Sequence, residues 1–174
     1  MTPVATTAAK LRAALERQRR QALTTLPAPL QPARRLSTKL GREIWIKRDD
    51  MTGLALGGNK ARKLEFSLGA AAAGGTDSPV TVGASQSNHA RSRAAAARVL
   101  GWECHLVLGG ERPTRPSGNL VLDSALGACL HFTGTTEWDD LERVGRELTH
   151  ELRAKGAKPE FIPSSAPYLA SSPA

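Results

Sequence analysis

Residues 79–101 read PVTVGASQSNHARSRAAAARVLG and pass directly from one regular element to the next. The start of this stretch is mostly apolar and β-branched, which predicts a strand over residues 79–84. Residues 85–88 are polar and suit the N-cap of a helix, which is predicted over residues 89–100 and ends at Gly101. The stretch is therefore a strand that is followed at once by a helix.

The same alternation of apolar runs and helical patterns extends on both sides of this unit. It predicts helices over residues 61–73, 120–126 and 136–154, and strands over residues 43–47, 103–108, 128–133 and 160–162. Strands that alternate with helices of this length form βαβ units, so the sequence predicts an α/β fold with a mostly parallel sheet. Ligands of such sheets bind beyond the carboxyl ends of strands, near helix N-termini, which is where residues 57–63 and 85–91 are placed.

The N-terminal part of the chain has a different character. A basic, amphipathic helix is predicted over residues 8–23, and the prolines at positions 27, 29 and 32 predict an extended connector after it. Residues 1–26 also have the Thr-, Ala- and Arg-rich composition of a transit peptide, so a targeting role stays open beside a plain surface helix. A secretory h-region and an apolar run of roughly 20 residues are both absent, which predicts a cytoplasmic protein.

The distribution of the net charge of +8 bears on the class of partner. Residues 1–60 contain 12 Lys and Arg against 4 Asp and Glu, whereas residues 61–174 contain 12 of each kind. This concentration leaves open a basic module that binds nucleic acid or an acidic surface. Aromatic residues make up only 4 % of the chain, which disfavours base stacking, so we expect no nucleic-acid and no membrane partner.

The two cysteines, Cys104 and Cys129, lie in apolar runs and form no CxxC pair. No histidine stands at zinc-ligand spacing from either of them, and His105 and His131 fall in predicted strands. We therefore predict buried, reduced thiols and no metal site.

The first candidate ligand segment is GGNKARK, residues 57–63. Its glycines allow close backbone approach, and Lys60 and Lys63 share one face at the start of a helix, where an anion is stabilised. Asn59 stands where a nucleotide-binding P-loop needs lysine, and no Ser or Thr follows Lys60, which excludes that motif. An anion site and an ordinary basic helix start both remain open at this point.

The second candidate segment, residues 83–91, reads GASQSNHAR and opens a helix at a strand end. Backbone N–H groups at such a turn can hold a phosphate, a carboxylate or a polar ring. The polar side chains of residues 85–88 exceed what one N-cap needs, which favours a ligand over a simple cap. A Ser-His-Asp hydrolase built on Ser87 and His89 is disfavoured because the chain has no G-x-S-x-G elbow.

Three segments taken together resemble one enzyme family. Residues 45–66 read WIKRDDMTGLALGGNKARKLEF, residues 86–91 read QSNHAR and residues 118–123 read GNLVLD. In this order and spacing they resemble the 1-aminocyclopropane-1-carboxylate deaminase / D-cysteine desulfhydrase family, over about residues 27–163. The resemblance implies a pyridoxal-phosphate (PLP) enzyme of the tryptophan-synthase-β-like fold type, with a three-layer α/β/α small domain and an incomplete large domain.

The resemblance also implies which side chains hold the cofactor. Lys60 would be the Schiff-base lysine, whose amine condenses with the cofactor aldehyde and later moves protons. Lys63, one turn further on, would help to hold the cofactor phosphate. Asn88 matches the asparagine that hydrogen-bonds the 3′-oxygen of the pyridine ring.

The substrate would lie against the second segment. Ser87 matches a catalytic serine near the substrate, and Gln86 and His89 would flank the substrate carboxylate. The family's reaction would yield an α-keto acid and ammonia, with sulfide in addition when D-cysteine is the substrate. The resemblance implies a small amino-acid substrate and a homodimer for full-length members.

The resemblance divides the chain into three parts. Residues 1–60 would be a helix, linker and strand of the incomplete large domain, residues 61–163 the small α/β domain, and residues 164–174 a tail unlike the family. Family members continue beyond the point that corresponds to Pro163, from which we expect a truncated or frame-shifted chain with weak cofactor binding and little or no turnover. A basic binding module and an inert remnant are the alternatives to an enzyme.

Overall fold

The computed structural model describes residues 3–163, with side chains from Thr7 onward. Its helices are α1 (Pro3–Glu16), α2 (Arg34–Leu40), α3 (Asn59–Ala73), α4 (Asn88–Leu100), α5 (Asn119–Ala125) and α6 (Trp138–Ala154), and its strands are β1 (Leu30–Pro32), β2 (Trp45–Lys47), β3 (Ser78–Ala84), β4 (His105–Gly109), β5 (Cys129–Phe132) and β6 (Pro159–Ile162). Two short 3₁₀ turns, Asp49–Thr52 and Leu54–Leu56, precede α3. From α3 onward every predicted helix and strand is present, with ends that shift by one or two residues.

The main sheet has four parallel strands in the order β5-β4-β3-β6. Strand β3 lies in its interior, and Val80, Thr81 and Val82 are each at most 1 % exposed. The chain passes from β3 outward to β4 and β5, and it then returns to the opposite side of β3 to form β6. This reversal makes the carboxyl end of β3 a topological switch point, the place where α/β sheets bind ligands.

Helices cover both faces of this sheet, which confirms the α/β class and the three-layer arrangement. On one face, α4 and α5 pack against Leu106 and Leu108 of β4. On the other face, Leu141 and further apolar side chains of α6 pack against Val82 and Val107. No helix within residues 3–163 has the length and apolar character needed to cross a membrane.

Helix α4 can lie close to its neighbours because its inward side chains are small. Residue 90 and residues 94–97 are all alanine, and each is at most 4 % exposed. Their size lets α4 approach the sheet on one side, while Leu64 and Leu68 of α3 pack against its alanines on the other. Helix α4 is therefore enclosed between the sheet and α3.

The N-terminal part differs from the sequence prediction. Helix α1 covers Pro3–Glu16 instead of residues 8–23, and the proline-rich connector contains β1, which pairs antiparallel with β2. Helix α2, which the sequence pattern does not predict, is stabilised by Ser37, whose hydroxyl donates to the carbonyl of Ala33 at 3.0 Å and accepts the N–H of Ile44 at 2.9 Å. The hydrogen bond from Ile44, the residue just before β2, therefore holds this short helix in place, and hydrophobic periodicity does not.

One buried carboxylate ties residues 20–24 to α3. Glu65 is 1 % exposed, and its Oε1 accepts the N–H groups of Leu23 and Thr24 at 3.0 and 2.9 Å and the Thr24 hydroxyl at 2.7 Å. Its Oε2 accepts Nε of Arg20 at 2.8 Å and lies 2.6 Å from Nη2 of the same guanidinium. These bonds direct the chain along α3, which is why the N-terminal helix does not continue to residue 23.

Candidate functional site

The carboxyl end of β3 leads directly into the second candidate segment. Ser87 is the N-cap of α4, and its Oγ accepts the N–H of Ala90 at 3.2 Å. The first turn of α4 therefore begins at the switch point of the sheet, where its unpaired N–H groups and the positive end of its dipole favour an anion.

A hydrogen-bond network holds the turn after β3 to the start of α5. Nε2 of Gln86 donates to the carbonyl of Ser117 at 3.1 Å, and its Oε1 accepts the N–H of Asn119 at 2.9 Å. Nδ2 of Asn119 donates to the carbonyl of Gln86 at 2.8 Å and to Oδ1 of Asn88 at 3.1 Å. Nη1 of Arg91 donates to Oδ1 of Asn88 and to Oδ1 of Asn119, both at 3.0 Å. The network fixes the turn in one conformation.

The same network determines which atoms of Asn88 can meet a ligand. Its Oδ1 accepts from Asn119 and Arg91, which orients the amide and directs Nδ2 away from them. Asn88 is exposed, and none of the described residues accepts a hydrogen bond from its Nδ2. Gly118 permits this arrangement, because a Cβ there would lie 2.5 Å from Oε1 of Gln86. Asn88 is therefore positioned to donate a hydrogen bond at the switch point.

An unusual stretch of backbone precedes α3. Ala55, Leu56, Gly57 and Gly58 have φ angles of 43°, 69°, 70° and 109°. Positive φ costs on the order of 1–2 kcal/mol at a non-glycine residue. At Gly57 the close approach admits no side chain, because a Cβ would overlap the carbonyl of Asp50. Such strain is common beside functional groups, and here it immediately precedes the first turn of α3.

The start of α3 has no side-chain N-cap and presents two lysines, one in its first turn and one at the beginning of the next. Lys60 is half-buried and Lys63 is exposed. Arg62 pairs with Asp49, which ties the start of α3 to the preceding 3₁₀ turn. Within residues 7–163 no carboxylate forms a salt bridge with Lys60, which leaves its amine accessible to a ligand in the way that the exposed lysines are, while its partial burial distinguishes it from them.

The environment of His89 shows that these lysines and the α4 N-terminus share one charged region. The pKa of His89 falls to about 3, first because burial disfavours the charged ring and then because Arg93, Lys60 and Lys63 repel a proton. The imidazole is therefore neutral at neutral pH. Three cations that act on one partly buried ring create a positive potential that suits an anionic ligand.

Comparison with known proteins identifies the family of the chain. Residues 22–171 match the family model described as "Pyridoxal-phosphate dependent enzyme". The chain belongs to this family. The matched range includes both candidate segments, residues 57–63 and 83–91, and it continues past Pro163 into residues 164–174, which lie outside the part that the structure describes.

The curated relatives that this chain matches are named for two activities. A "Putative 1-aminocyclopropane-1-carboxylate deaminase" of Pyrococcus abyssi is 42 % identical over 155 residues, which are 88 % of this chain and 46 % of that protein. A "D-cysteine desulfhydrase" of Klebsiella pneumoniae is 42 % identical over 158 residues, or 86 % of this chain and 46 % of that protein. The chain spans about half the length of the curated relatives that it matches.

A solved structure gives the same result. A crystal structure described as that of an "ACC deaminase homologue" superposes with a TM-score of 0.82 and 38 % identity, covering 94 % of this chain and 48 % of the other. The likeness confirms the family resemblance that residues 45–66, 86–91 and 118–123 indicate.

The donor groups at the switch point fit the cofactor of this PLP-dependent family. The positive potential around Lys63 and His89 suits a phosphate, and the unpaired amine of Lys60 suits an aldehyde. The directed Nδ2 of Asn88 suits an oxygen on a polar ring. The phosphate, the aldehyde and the ring oxygen of PLP thus each have a side chain of suitable chemistry among the described residues.

The structure brings the six predicted site residues to one edge of the sheet. Four of them form the turn after β3 and the start of α4, and the two lysines are close enough to act on the charge of His89. The six are Lys60, Lys63, Gln86, Ser87, Asn88 and His89. Their individual roles stay predictions. The amide of Gln86 is already bonded at both ends, so in this structure it positions the turn. The sequence predicts no role for Arg91 or Asn119. Both lie in segments that carry the family resemblance, QSNHAR and GNLVLD, and this is the signal that could have indicated them.

Asp123 of α5, on which the charge of Arg91 acts, is expected to lower the stability of the fold at neutral pH. It is 1 % exposed, no described residue donates to either of its oxygens, and burial raises its pKa to about 6 despite the opposing charge of Arg91. Because the folded pKa lies above the unfolded value, the folded state loses stability as pH rises from about 4 to about 6, by roughly 1–3 kcal/mol. Asp123→Asn should remove this loss.

Urea denaturation of the unaltered chain and of Asp123→Asn at about pH 5 and about pH 7.5 measures the effect. The variant should gain in relative stability by about 1 kcal/mol or more between the two pH values. An equal difference between variant and unaltered chain at both pH values would show that Asp123 is not the titrating group.

Proposed function

We propose that this chain supplies the cofactor-bonding lysine of a PLP-dependent lyase or deaminase that acts on D-cysteine, on 1-aminocyclopropane-1-carboxylate, or on both. The observation that carries the proposal is the half-buried amine of Lys60, which opens α3 and shares one positive region with Lys63 and His89. The activity names of the relatives support the two substrates. A mitochondrial relative of Arabidopsis thaliana, 36 % identical over 148 residues, which are 81 % of this chain and 37 % of that protein, is named for both activities.

Three side chains would hold the cofactor. Lys63 and the first turn of α3 would attract its phosphate, Lys60 would bond covalently to its aldehyde, and Asn88 would donate to its ring oxygen. When bound, PLP withdraws electrons from the α-carbon of an amino acid. Lys60, once displaced from the aldehyde by the substrate amine, would carry a proton to or from that carbon.

The substrate carboxylate would lie beside the α4 N-terminus. Ser87 keeps its hydroxyl proton while its oxygen accepts from Ala90, so it can donate to a carboxylate. His89 would take part as a neutral hydrogen-bonding ring, since its pKa is held at about 3. In the overall reaction one water would be consumed and an α-keto acid and ammonia released, with sulfide leaving as well from D-cysteine.

The expected setting of the protein forms part of the proposal. Cys104 and Cys129 are both free thiols, which supports a reducing compartment such as the cytoplasm. The expected partners are a small amino acid and, in the full-length family, a second copy of the chain.

Titration of the chain with PLP, followed by visible absorption, tests this function. We expect saturable uptake of one PLP per chain and an absorption change when D-cysteine or the cyclopropane acid is added. L-cysteine is the matched control, because free PLP reacts equally with both enantiomers and only a protein site distinguishes them. Uptake that never saturates would contradict the cofactor assignment, whereas saturable uptake with equal responses to both enantiomers and none to the cyclopropane acid would contradict the substrate class alone.

A further inference from the structure

A second group of reactive side chains lies at the other end of the sheet. Glu103 lies two residues before the start of β4, His105 begins β4 and Cys129 begins β5, so all three lie at the amino ends of these two strands. One ligand atom of each lies within 4.8 Å of the others. The PLP-dependent site lies beyond the carboxyl ends of the strands, so this cluster is no part of it.

The register of the parallel strands creates the cluster. His105 of β4 is paired with Cys129 of β5, and Val107 is paired with His131. Side chains two residues apart on one strand share a face, so His131 lies beside His105 on the face that α6 covers. This register also makes neighbours of His105 and His131, and of Glu103 and Cys129, which are 26 residues apart in sequence.

His105 is oriented as a metal ligand would be. It is 4 % exposed, and its Nδ1 lies 3.2 Å from Nε2 of His131. With the proton on Nδ1, this contact is a hydrogen bond to His131, and the lone pair of His105 Nε2 points towards Glu103. Nε2 has no hydrogen-bond partner among the described residues, and it lies 3.6 Å from Oε1 of Glu103. An imidazole held at one nitrogen with the other open is the usual arrangement at metal sites.

The distances between donor atoms suit a tetrahedral ion. Sγ of Cys129 is 3.4 Å from Oε1 of Glu103, and Nε2 of His105 is 3.6 Å from the same oxygen. Zinc bonds of about 2.0–2.3 Å place neighbouring ligands of a tetrahedron about 3.3–3.8 Å apart. Two edges of the tetrahedron therefore exist before any side chain moves.

We propose that Glu103, His105 and Cys129 bind one zinc ion, with water as the fourth ligand and His131 as the positioning residue of His105. Nitrogen and sulfur donors select zinc over magnesium or calcium, and Glu103, whose side chain is 62 % exposed, leaves the site open to solvent. The thiol proton of Cys129 is released to solvent on binding.

Some charged residues around the cluster repel a zinc ion and others attract it. Lys155, which follows α6, acts on His105, and Arg112, from the segment after β4, acts on His131. Both oppose a dication. Two carboxylates favour a dication. Glu151 of α6 acts on His131, and Glu103 acts on His105. The cluster therefore needs its thiolate to bind tightly, which makes Cys129 the decisive residue.

Competition of the full chain against a colorimetric zinc chelator, with and without PLP, measures affinity and stoichiometry. We expect one tightly bound zinc per chain in both conditions. Cobalt(II) in its place should give the ligand-field bands of a tetrahedral site together with thiolate-to-cobalt charge transfer. Cys129→Ser should abolish the charge transfer, and His131→Ala should weaken binding by about 10- to 100-fold, whereas His131→Gln, which keeps an acceptor for His105, should restore most of it.

Two further variants keep the result decisive. Glu103→Gln changes an exposed side chain, so it should weaken zinc binding without affecting folding. His150→Ala is the matched control, because His150 is an exposed histidine on α6 outside the cluster, and it should change nothing. Less than one tight zinc per chain, or cobalt spectra that survive Cys129→Ser, would overturn the proposal.

Discussion

Replacing Lys60 with alanine is expected to abolish covalent attachment of PLP to this chain. Borohydride reduces the bond between an amine and the cofactor aldehyde, and peptide mass mapping then locates the modified residue. In the unaltered chain we expect one modified residue, Lys60, because it is half-buried in the positive region around His89, whereas the other lysines among the described residues are exposed. Any turnover should fall by at least about 10²- to 10⁴-fold, the usual contribution of a positioned proton-transfer group.

Lys63→Ala is the matched control for this prediction. Lys63 lies one turn further along α3 and acts on the same His89, but its proposed task is to attract the phosphate. Its loss should weaken the uptake of PLP and leave the modified residue unchanged. Modification that persists in Lys60→Ala, or that spreads over many lysines in the unaltered chain, would refute the assignment of Lys60.

Glu65→Ala is expected to destabilise the fold by about 2–4 kcal/mol, because it removes the buried acceptor of two backbone N–H groups and one hydroxyl. The substitution leaves the N–H groups of Leu23 and Thr24 without their acceptor and the guanidinium of Arg20 without its carboxylate. Backbone donors left unsatisfied in this way are costly. The free energy of unfolding in urea measures the loss.

Glu147→Ala is the corresponding control on a surface helix. Glu147 also pairs with an arginine, Arg143, but its side chain is 57 % exposed, so the change should cost less than about 1 kcal/mol. If both variants lost the same free energy of unfolding, the buried hydrogen bonds of Glu65 would stabilise the fold no more than an exposed ion pair does.

The pH dependence gives a second readout for Glu65. Burial alone would raise its pKa, but hydrogen bonds from Thr24, Leu23 and Arg20 outweigh burial and lower it. A carboxyl with a lowered folded pKa stabilises the protein above its unfolded value, near 4.5, and this stabilisation disappears as pH falls through the folded pKa. The deficit of Glu65→Ala should therefore shrink in acid.

Local signals made the α/β part of the fold predictable. Gly74, Gly101 and Gly156 follow helices α3, α4 and α6, and the apolar runs between them are long enough to form strands. Helix α2 and strand β1 carry no comparable signal. Ser37 and Pro32 reach their partners only after the chain has folded back, so a reading of adjacent residues places an extended connector there.

The candidate PLP-dependent site was indicated by a different kind of signal, and the roles of its residues stay predictions. Its lysines and its polar turn each occupy a few consecutive residues, so their resemblance to one enzyme family is visible before the fold is known. Glu65 and the cluster of Glu103, His105 and Cys129 depend on partners far away in sequence. Glu65 has the appearance of an ordinary helical glutamate, and only the register of β4 against β5 brings His105 to Cys129.

The small side chains along α4 also decide where this protein can carry a probe. A spectroscopic label or a cross-linker at residues 94–97 would add volume between the sheet and α3, where those alanines are at most 4 % exposed. Overpacking of this kind costs roughly 1–3 kcal/mol for a few added carbons, and a dye is far larger. At the far end of the same helix Val99 is 65 % exposed. A fluorophore attached there would report on α4 without forcing it away from the sheet.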